Sequence, residues 1–403
     1  MMKKILKCRI CNSQNNSKVL SLKKTPLEDN FLNQKSKNIK QISFPLQLNL
    51  CNNCGYVFLP QVLSPKKSYR YYLYNSEVTF GLKKHYQIYA NEINKLVKRK
   101  GKKLCVDIGS NDGTLLSGFQ SLKYDVVGIE PAKLIAKKAN KRGIKTFNSF
   151  FNKDVAKKIL KTFSKPDVIC ANYVFANIDN IRESTRIIKN LLSDNGLFVI
   201  ETGYHPEQFK KNMFDYIYHE HFSYFSLGVL KKFFKQFKFK IIKAKITKQK
   251  GGSIRLIITH DENNLKIDNS VERIIKNEKK LIINKRNYFK TFENRILRQK
   301  KILLKYLNNF KDNVIGFGAS HSTTVLLHHF EIGKKIDYLI DDNRIKHNLY
   351  SPGFKLKVKP VKNIKGKIII LLAWQHQKKI LERHKNLIKQ NKIIIPLPKF
   401  KIR

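Results

Sequence analysis

The sequence predicts an α/β protein in several parts: a Rossmann-like parallel sheet in the middle, a second one at the C-terminus, and a small metal module in front. Three observations predict it. Two C-x-x-C pairs stand near the start, Cys8 with Cys11 and Cys51 with Cys54. From Lys102 a strand, a Gly-rich turn and a helix follow one another, and strand-then-helix units repeat after them. A similar strand and Gly-rich turn recur over 313–320. The expected boundaries are 1–75 for the metal module and an aromatic loop, 76–260 for the central domain, 261–312 for a helical linker and 313–403 for the last domain.

Composition narrows the class. A chain of 403 residues with 42% hydrophobic content can build two or three cores, which excludes wholesale disorder. Its longest apolar runs, such as Ile368-Ile369-Ile370-Leu371-Leu372-Ala373-Trp374, are strand-length and far short of the ~18–20 residues of a membrane span. The basic start, Met1-Met2-Lys3-Lys4-Ile5-Leu6-Lys7-Cys8, is not followed by an apolar h-region, so the chain is read as cytoplasmic. Lys and Arg number 81 against 29 Asp and Glu, a net charge of +52. That excess is mostly Lys, mixed with Ile and Asn and spread along the whole length. It reads as a solvated coat rather than a nucleic-acid footprint, since no nucleic-acid recognition motif accompanies it. An anionic substrate would still be drawn in by this field.

The four clustered cysteines come first. In a cytoplasmic chain of this size a disulfide framework is not expected. Two C-x-x-C knuckles offer four thiolates for a tetrahedral Zn²⁺, and Gly55 favours the tight turn that aims backbone N–H groups at sulfur. A redox pair would need one C-x-x-C in a βαβ context, not two. Four sulfurs leave no open position, so Cys8, Cys11, Cys51 and Cys54 are expected to hold structural, not catalytic, zinc. Cys105 and Cys170 lie in apolar strand-like runs and read as core residues. The stretch Tyr69-Arg70-Tyr71-Tyr72-Leu73-Tyr74 reads equally as an interdomain strip or as a lid over a polar substrate.

In the central domain, Lys103-Leu104-Cys105-Val106-Asp107-Ile108 is a strand, Gly109-Ser110-Asn111-Asp112-Gly113 its turn, and Thr114-Leu115-Leu116 the start of a helix. A second strand ends at Glu130, at the spacing where an acid meets ribose hydroxyls in such folds. The turn is not the G-x-G-x-x-G of a pyrophosphate cradle. Asp107 would repel a diphosphate but receive a cationic amino group, which favours S-adenosylmethionine (SAM) over NAD. Strands at 166–172 and 197–202 follow. Strand ends place Asp107, Glu130, Asn172 and Glu201 on one rim. The expected cofactor set is Asp107, Gly109, Asn111, Gly113, Glu130 and Asn172.

Tyr216-Ile217-Tyr218-His219-Glu220-His221-Phe222-Ser223-Tyr224 gathers two His, a Glu and three Tyr. A metal pair, a hydrogen-bonded core edge and acid/base chemistry all fit these residues. The helical H-E-x-x-H spacing of a zinc protease is absent. For acid/base work, His titrates near neutrality and Tyr can donate to a developing oxyanion, a set that suits removing a proton beside a carbonyl. From 261 to 313 the chain is polar and Lys-rich. Ile274, Leu281, Leu297, Ile302 and Leu303 recur at loosely helical spacing, which predicts one or two long amphipathic helices. The last domain opens with Val314-Ile315-Gly316-Phe317-Gly318-Ala319-Ser320. Its Gly-rich turn reads as a degenerate nucleotide fold used for packing and substrate docking rather than as a second cofactor site.

Taken in order, these motifs resemble the sugar C-methyltransferase family, which methylates carbon 3 of nucleotide-linked 4-keto-6-deoxy sugars. The resemblance runs over essentially the whole chain. It rests on the two knuckles, on 106–114, on 218–226, on Gly251-Gly252-Ser253-Ile254-Arg255, and on 314–320 with Tyr338-Leu339-Ile340-Asp341-Asp342. It implies a class I methyltransferase Rossmann-like core, with SAM between its sheet and a nucleotide-linked sugar. It further implies that His221 is the base for the carbon-3 proton, assisted by Glu220, that Tyr218 stabilises the enolate oxygen, and that Tyr72 meets the substrate. The family's frequent histidine after the fourth strand is Asn177 here. The contrasting reading, motivated by charge, is a zinc-ribbon nucleic-acid-binding protein or RNA methyltransferase.

Overall fold

The computed structural model describes residues 2–63, 81–310 and 313–403. Five strands open the chain: β1 (Met2–Lys4), β2 (Asn16–Thr25), β3 (Phe44–Cys51), β4 (Val57–Phe58) and β5 (Gln61–Leu63). β1 pairs with β5. β2, β3 and β4 form an antiparallel sheet whose fourth strand, β11 (Ser223–Tyr224), arrives from far down the chain. In β3 the buried Leu46, Leu48 and Leu50 alternate with half-buried residues, the period of a one-faced sheet.

The central sheet holds β6 (Lys103–Ile108), β7 (Tyr124–Ile129), β8 (Thr146–Phe147), β9 (Val168–Asn172), β10 (Leu197–Gly203), β12 (Phe239–Thr247) and β13 (Ser253–His260). Their order is β12-β13-β10-β9-β6-β7-β8. β6 to β10 are parallel, and β13 runs antiparallel between β10 and β12. The parallel strands are almost continuously buried because helices cover both faces, and Cys105 and Cys170 are core residues in them. The chain runs outward from β6 to β8 and returns to β9 on the other side. The β6–β9 boundary is therefore the switch point where a ligand crevice forms.

Two helices, Ser270–Leu281 and Arg286–Leu307, lead to the last sheet. It contains β14 (Val314–Phe317), β15 (Leu339–Ile340), β16 (Val358–Lys359), β17 (Ile368–Leu371), β18 (Lys392–Ile395) and β19 (Lys401–Ile402), in the order β16-β15-β14-β17-β18-β19. All its pairings are parallel except that of β19. The Rossmann-like α/β class with a second Rossmann-like domain is thus the architecture observed. The buried face of β2 and β3 shares one hydrophobic core with Phe292, Ile296 and Leu303 of the long helix and Val325 and Leu326 of the last domain. No helix among the described residues is long and apolar enough to cross a membrane.

Segment 214–226 is held by all three parts. β11 pairs with β4, and Tyr56 hydrogen-bonds Ser223. Asp215 accepts bonds from Trp374 Nε1 at 2.9 Å and Gln375 Nε2 at 2.7 Å. Phe214 stacks on Phe330 with centroids 4.9 Å apart. His219 is also buried, and its Nδ1 lies 2.7 Å from Glu28 Oε1, both side chains at most 2% exposed. Its Nε2 lies 3.2 Å from the Pro45 carbonyl oxygen. Both ring nitrogens thus face acceptors, which only the doubly protonated imidazolium satisfies. Burial opposes that charge, but the Glu28 carboxylate outweighs it and raises the His219 pKa.

Glu28→Gln is therefore expected to destabilise the fold by about 3–5 kcal/mol, the loss seen when one partner of a buried pair is removed. The pair's contribution is fully present below the unfolded-state His value of about 6.5 and is lost as pH rises through the elevated folded value. Denaturant midpoints measured against pH should show that decline in the wild type and lack it in the variant. Equal midpoints at all pH values would remove the pair as an anchor.

Candidate functional site

A cleft opens at the carboxyl ends of β6 and β9, lined by Asp107, Gly109, Ser110, Asn111, Glu130 and Asn172 among others. Gly109 has φ +70°, and a Cβ there would lie 2.8 Å from Val174, so the turn needs glycine. Glu130 accepts from the Asn111 N–H at 3.0 Å and the Ala132 N–H at 2.8 Å. Burial nevertheless raises its pKa to about 7. Asn172 Oδ1 accepts from Tyr89 Oη at 3.3 Å, which leaves its Nδ2 without a partner. Asp107 Oδ1 and Ser110 Oγ are likewise buried and unpartnered. Burial, and then the neighbouring Glu130, raise the Asp107 pKa well above the carboxylate range. Buried polar atoms rarely stay unpaired in a complete site. Asp107 offers an acceptor for a cation, Asn172 a donor for an anion, and Glu130 lone pairs for hydroxyls. This donor set fits the ammonium, carboxylate and ribose of SAM.

Two expected residues, Gly113 of the cofactor set and Glu201 of the rim, sit elsewhere. Gly113, with φ +77°, precedes the helix Thr114–Gln120 and packs towards Ile144 rather than lining the cleft. Glu201 is fully buried and engaged by His85 at 2.8 Å, Tyr173 Oη at 2.8 Å, Thr247 at 2.9 Å and Arg255 at 2.7 Å. Although burial works against ionisation, His85 and Arg255 hold its pKa down to about 2. It is a structural anion of the β10–β13 edge, where Arg255 also lies 4.1 Å over the Tyr89 ring.

A smaller pocket adjoins the cleft, lined by His221, Tyr216, Tyr224, Thr202, Gln208 and others. Tyr173 and Lys250 line both cavities. His221 Nδ1 lies 3.2 Å from the Tyr216 carbonyl oxygen, so in the neutral ring Nδ1 carries the proton and Nε2 is the acceptor. Burial, and next the Lys250 ammonium, push its pKa down to about 3. The two histidines of the segment thus differ: His219 is a buried cation, and His221 is neutral with a lone pair on Nε2. Tyr224 is 4% exposed, and its hydroxyl has no partner.

The remaining expected residues divide. The Tyr218 ring lies behind His221, with centroids 3.9 Å apart and the His321 ring 5.2 Å away. It is Tyr216 and Tyr224, not Tyr218, that line the pocket. Glu220 faces His321 of the last domain, with Nε2 to Oε1 at 3.8 Å, rather than His221. Asp29 lies 3.8 Å from His321 and 3.3 Å from Lys346. With burial opposing it and these carboxylates favouring it, His321 titrates up at about 9. Asn177 lines the cleft. Tyr72 lies outside the described residues.

The four cysteine sulfurs lie within 4.8 Å of one another, with Cys8–Cys54 and Cys11–Cys51 at 3.6 Å. Zinc–sulfur bonds of about 2.3 Å give a tetrahedron with edges of about 3.8 Å, so the set fits Zn²⁺ as it stands. The Ile10 N–H points at Cys8 Sγ from 3.4 Å. Arg9, inside the first knuckle, reaches Asp179 on the cleft rim at 3.1 Å and the Leu59 carbonyl oxygen at 3.3 Å. Glu28, Asp29, Tyr173 and Lys250 escaped the sequence reading. Only Tyr173, directly after a strand end, and Lys250, directly before Gly251-Gly252, had a local signal.

Residues 8–69 match a putative zinc binding domain, 82–244 a methyltransferase domain, and 248–398 the C-methyltransferase C-terminal domain. The C-methyltransferase NovU of Streptomyces niveus is 27% identical over 399 residues, covering 97% of this chain and 95% of NovU. Among solved structures, the SAM-bound magnesium protoporphyrin IX methyltransferase of Synechocystis PCC 6803 is 11% identical with a TM-score of 0.34, covering 45% of this chain and 80% of its own. The CcbJ methyltransferase of Streptomyces caelestis is 10% identical with a TM-score of 0.34, covering 43% and 89%. With three modules matched in order and NovU aligned almost end to end, the chain is a SAM-dependent methyltransferase with a structural zinc module ahead of its methyltransferase domain, and it is similar to C-methyltransferases along nearly its whole length.

Proposed function

We propose that this enzyme methylates the carbon next to the ketone, C3, of a nucleotide-linked 4-keto-6-deoxy sugar, after His221 removes the proton from that carbon. The observation that carries the reading is the shared wall: the cleft with its unpartnered Asp107 and Asn172 and the pocket of His221 meet at Tyr173 and Lys250. A methyl donor in one cavity thus faces a base in the other. The sugar and the nucleotide rest on the family resemblance of the ordered motifs.

Asp107 would hold the amino group of SAM, Asn172 its carboxylate and Glu130 its ribose. Bound SAM supplies an electrophilic methyl group on sulfur. A carbon beside a ketone is a poor nucleophile until it loses a proton. His221 offers Nε2 for that proton, because Nδ1–H is committed to the Tyr216 carbonyl. The hydroxyl of Tyr224, like that of Thr202 in the same pocket, has no partner, and as the more acidic donor it would take the place expected of Tyr218 at the developing oxyanion. Tyr218 packs on His221 and would restrain its imidazole. The closed zinc site takes no part in bond making.

The direct test incubates protein with SAM and a panel of nucleotide-linked 4-keto-6-deoxy sugars in D₂O, read by mass spectrometry and NMR. A methyl group gained at C3 supports the reading. Protein that binds SAM but neither methylates nor exchanges any of these sugars overturns it. Methylation of RNA instead, with a steep salt dependence, would replace it with the nucleic-acid alternative. On a competent sugar, His221→Asn should lower both exchange and methylation about 10²–10⁴-fold while leaving SAM affinity unchanged.

SAM binding should also release protons. In the empty cleft the carboxyls of Asp107 and Glu130 are raised, whereas a bound ammonium favours ionised Asp107. Affinity should therefore rise with pH, by up to about tenfold per unit for each proton released. Calorimetry in buffers of different ionisation enthalpy measures the release directly. Asp107→Asn should reduce it and weaken binding at least about tenfold, the scale of one lost charge-assisted hydrogen bond.

A further inference from the structure

The cleft and the pocket are separated by two side chains, and one of them is a cation. Lys250 sits in the turn Gln249–Gly251 between β12 and β13, with its own backbone in the left-handed region at φ 45° and ψ 41°. The turn is pinned from below. The Gly251 carbonyl oxygen accepts from Lys211 Nζ at 2.6 Å, and the Gly252 carbonyl oxygen accepts from the Tyr204 N–H at 3.2 Å. Gly251 has φ +80°, a conformation that favours glycine, and Met213 packs where its Cβ would lie. The strained turn therefore fixes where the lysine stem leaves the backbone. Its Nζ lies 4.1 Å from the centroid of the Tyr173 ring, and Tyr173 is itself fixed by its hydroxyl bond to Glu201 at 2.8 Å.

That placement poses an electrostatic problem in the empty enzyme. The ammonium disfavours protonation of His221, the residue that must accept a proton. The problem disappears if negative charge develops between the two groups. When the carbon–hydrogen bond breaks, the proton goes to His221 Nε2 and the electron pair moves onto the ketone oxygen as an enolate. An enolate beside Lys250 offsets the ammonium and favours the imidazolium at once. The interaction is absent with the neutral ketone and strong with the enolate, the differential binding that lowers a barrier.

We propose that Lys250 is a catalytic residue whose ammonium stabilises the enolate oxygen formed when His221 deprotonates the substrate. The proposal rests on the reaction proposed above and adds a residue to it.

The test uses the full-length, zinc-loaded protein, with S-adenosylhomocysteine bound to isolate the exchange step. Lys250→Met should slow deuterium exchange at the substrate carbon, and kcat for methylation, by about 10²–10³-fold, the range for removing one oxyanion partner. SAM affinity and thermal midpoint should stay near the wild-type values. Lys250→Arg keeps the charge and should recover at least about tenfold over the Met variant. Exchange and kcat in Lys250→Met within about threefold of wild type would overturn the proposal. So would a loss confined to SAM affinity, which would make Lys250 a partner of the SAM carboxylate, or a rise in KM alone, which would make it a ground-state substrate contact. Wild-type protein that binds SAM yet exchanges no 4-keto sugar would instead overturn the underlying reaction, an outcome seen before any variant is compared.

Discussion

The buried pair of Glu28 and His219 is the contact on which the arrangement of the active segment depends. It crosses 191 residues of sequence at 2.7 Å and joins the N-terminal module to the segment between β10 and the last strands of the central sheet. Its chemistry also decides what its neighbours can do. An imidazole with both nitrogens donating has no lone pair to give, so His219 is barred from base catalysis and serves as an anchor. Anchoring it inward turns Glu220 towards the last domain and His221 towards the pocket. Removing the carboxylate would leave a buried cation unpaired, a state proteins avoid by neutralising the group or by moving it. Either response would shift His221, the proposed base, two residues away.

Charge inside the molecule is arranged differently from charge on its surface. The +52 total is a dispersed coat in which exposed ion pairs such as Lys102–Asp125 contribute little. At the junction of the three parts the signs alternate: Glu220 and Asp29 face His321 and Lys346. The two working cavities are deliberately unbalanced in opposite senses. The cleft crowds Asp107 against Glu130 and so favours an incoming cation. The pocket sets Lys250 against a neutral His221 and so favours an incoming anion or a charge that develops during reaction. A sulfonium donor with an ammonium group and the proposed enolate have these two charges.

Features carried by local spacing were legible in the sequence. The knuckles, the turn after β6 and the acid at the end of β7 lie where their intervals placed them, because each is fixed by a few consecutive residues. What depends on the meeting of distant segments was not legible. Glu28 and Asp29 look like ordinary acids in a polar loop, and only the fold carries them to His219 and His321. Helical faces were partly misread for a related reason. Leu281, Leu297 and Ile302 keep the expected spacing yet remain 51%, 47% and 38% exposed, while Phe289, Phe292, Ile296, Leu303 and Leu307 form the buried stripe. In a Lys-rich helix either stripe satisfies the period, and the sheet it meets chooses between them. Glu201 was misplaced because a strand end suggests a rim, whereas β12 and β13 bring Thr247 and Arg255 over it.

The zinc module then has a role that its chemistry alone does not indicate. A closed tetrahedral site has no position for substrate, so its free energy goes into holding the two knuckles together. The first knuckle carries Arg9, which reaches Asp179 at the rim of the cleft and stacks near Phe58 and Phe222. The second leads through Tyr56 into β4, which pairs with β11 and so fixes Ser223 and Tyr224. One ion thereby sets the position of a cleft residue and of a pocket hydroxyl that belong to different stretches of the central domain. A module of this kind need not touch nucleic acid to justify its presence beside a methyltransferase sheet. In the proposed reaction it keeps the cleft and the pocket in register, and in-line methyl transfer tolerates little misplacement.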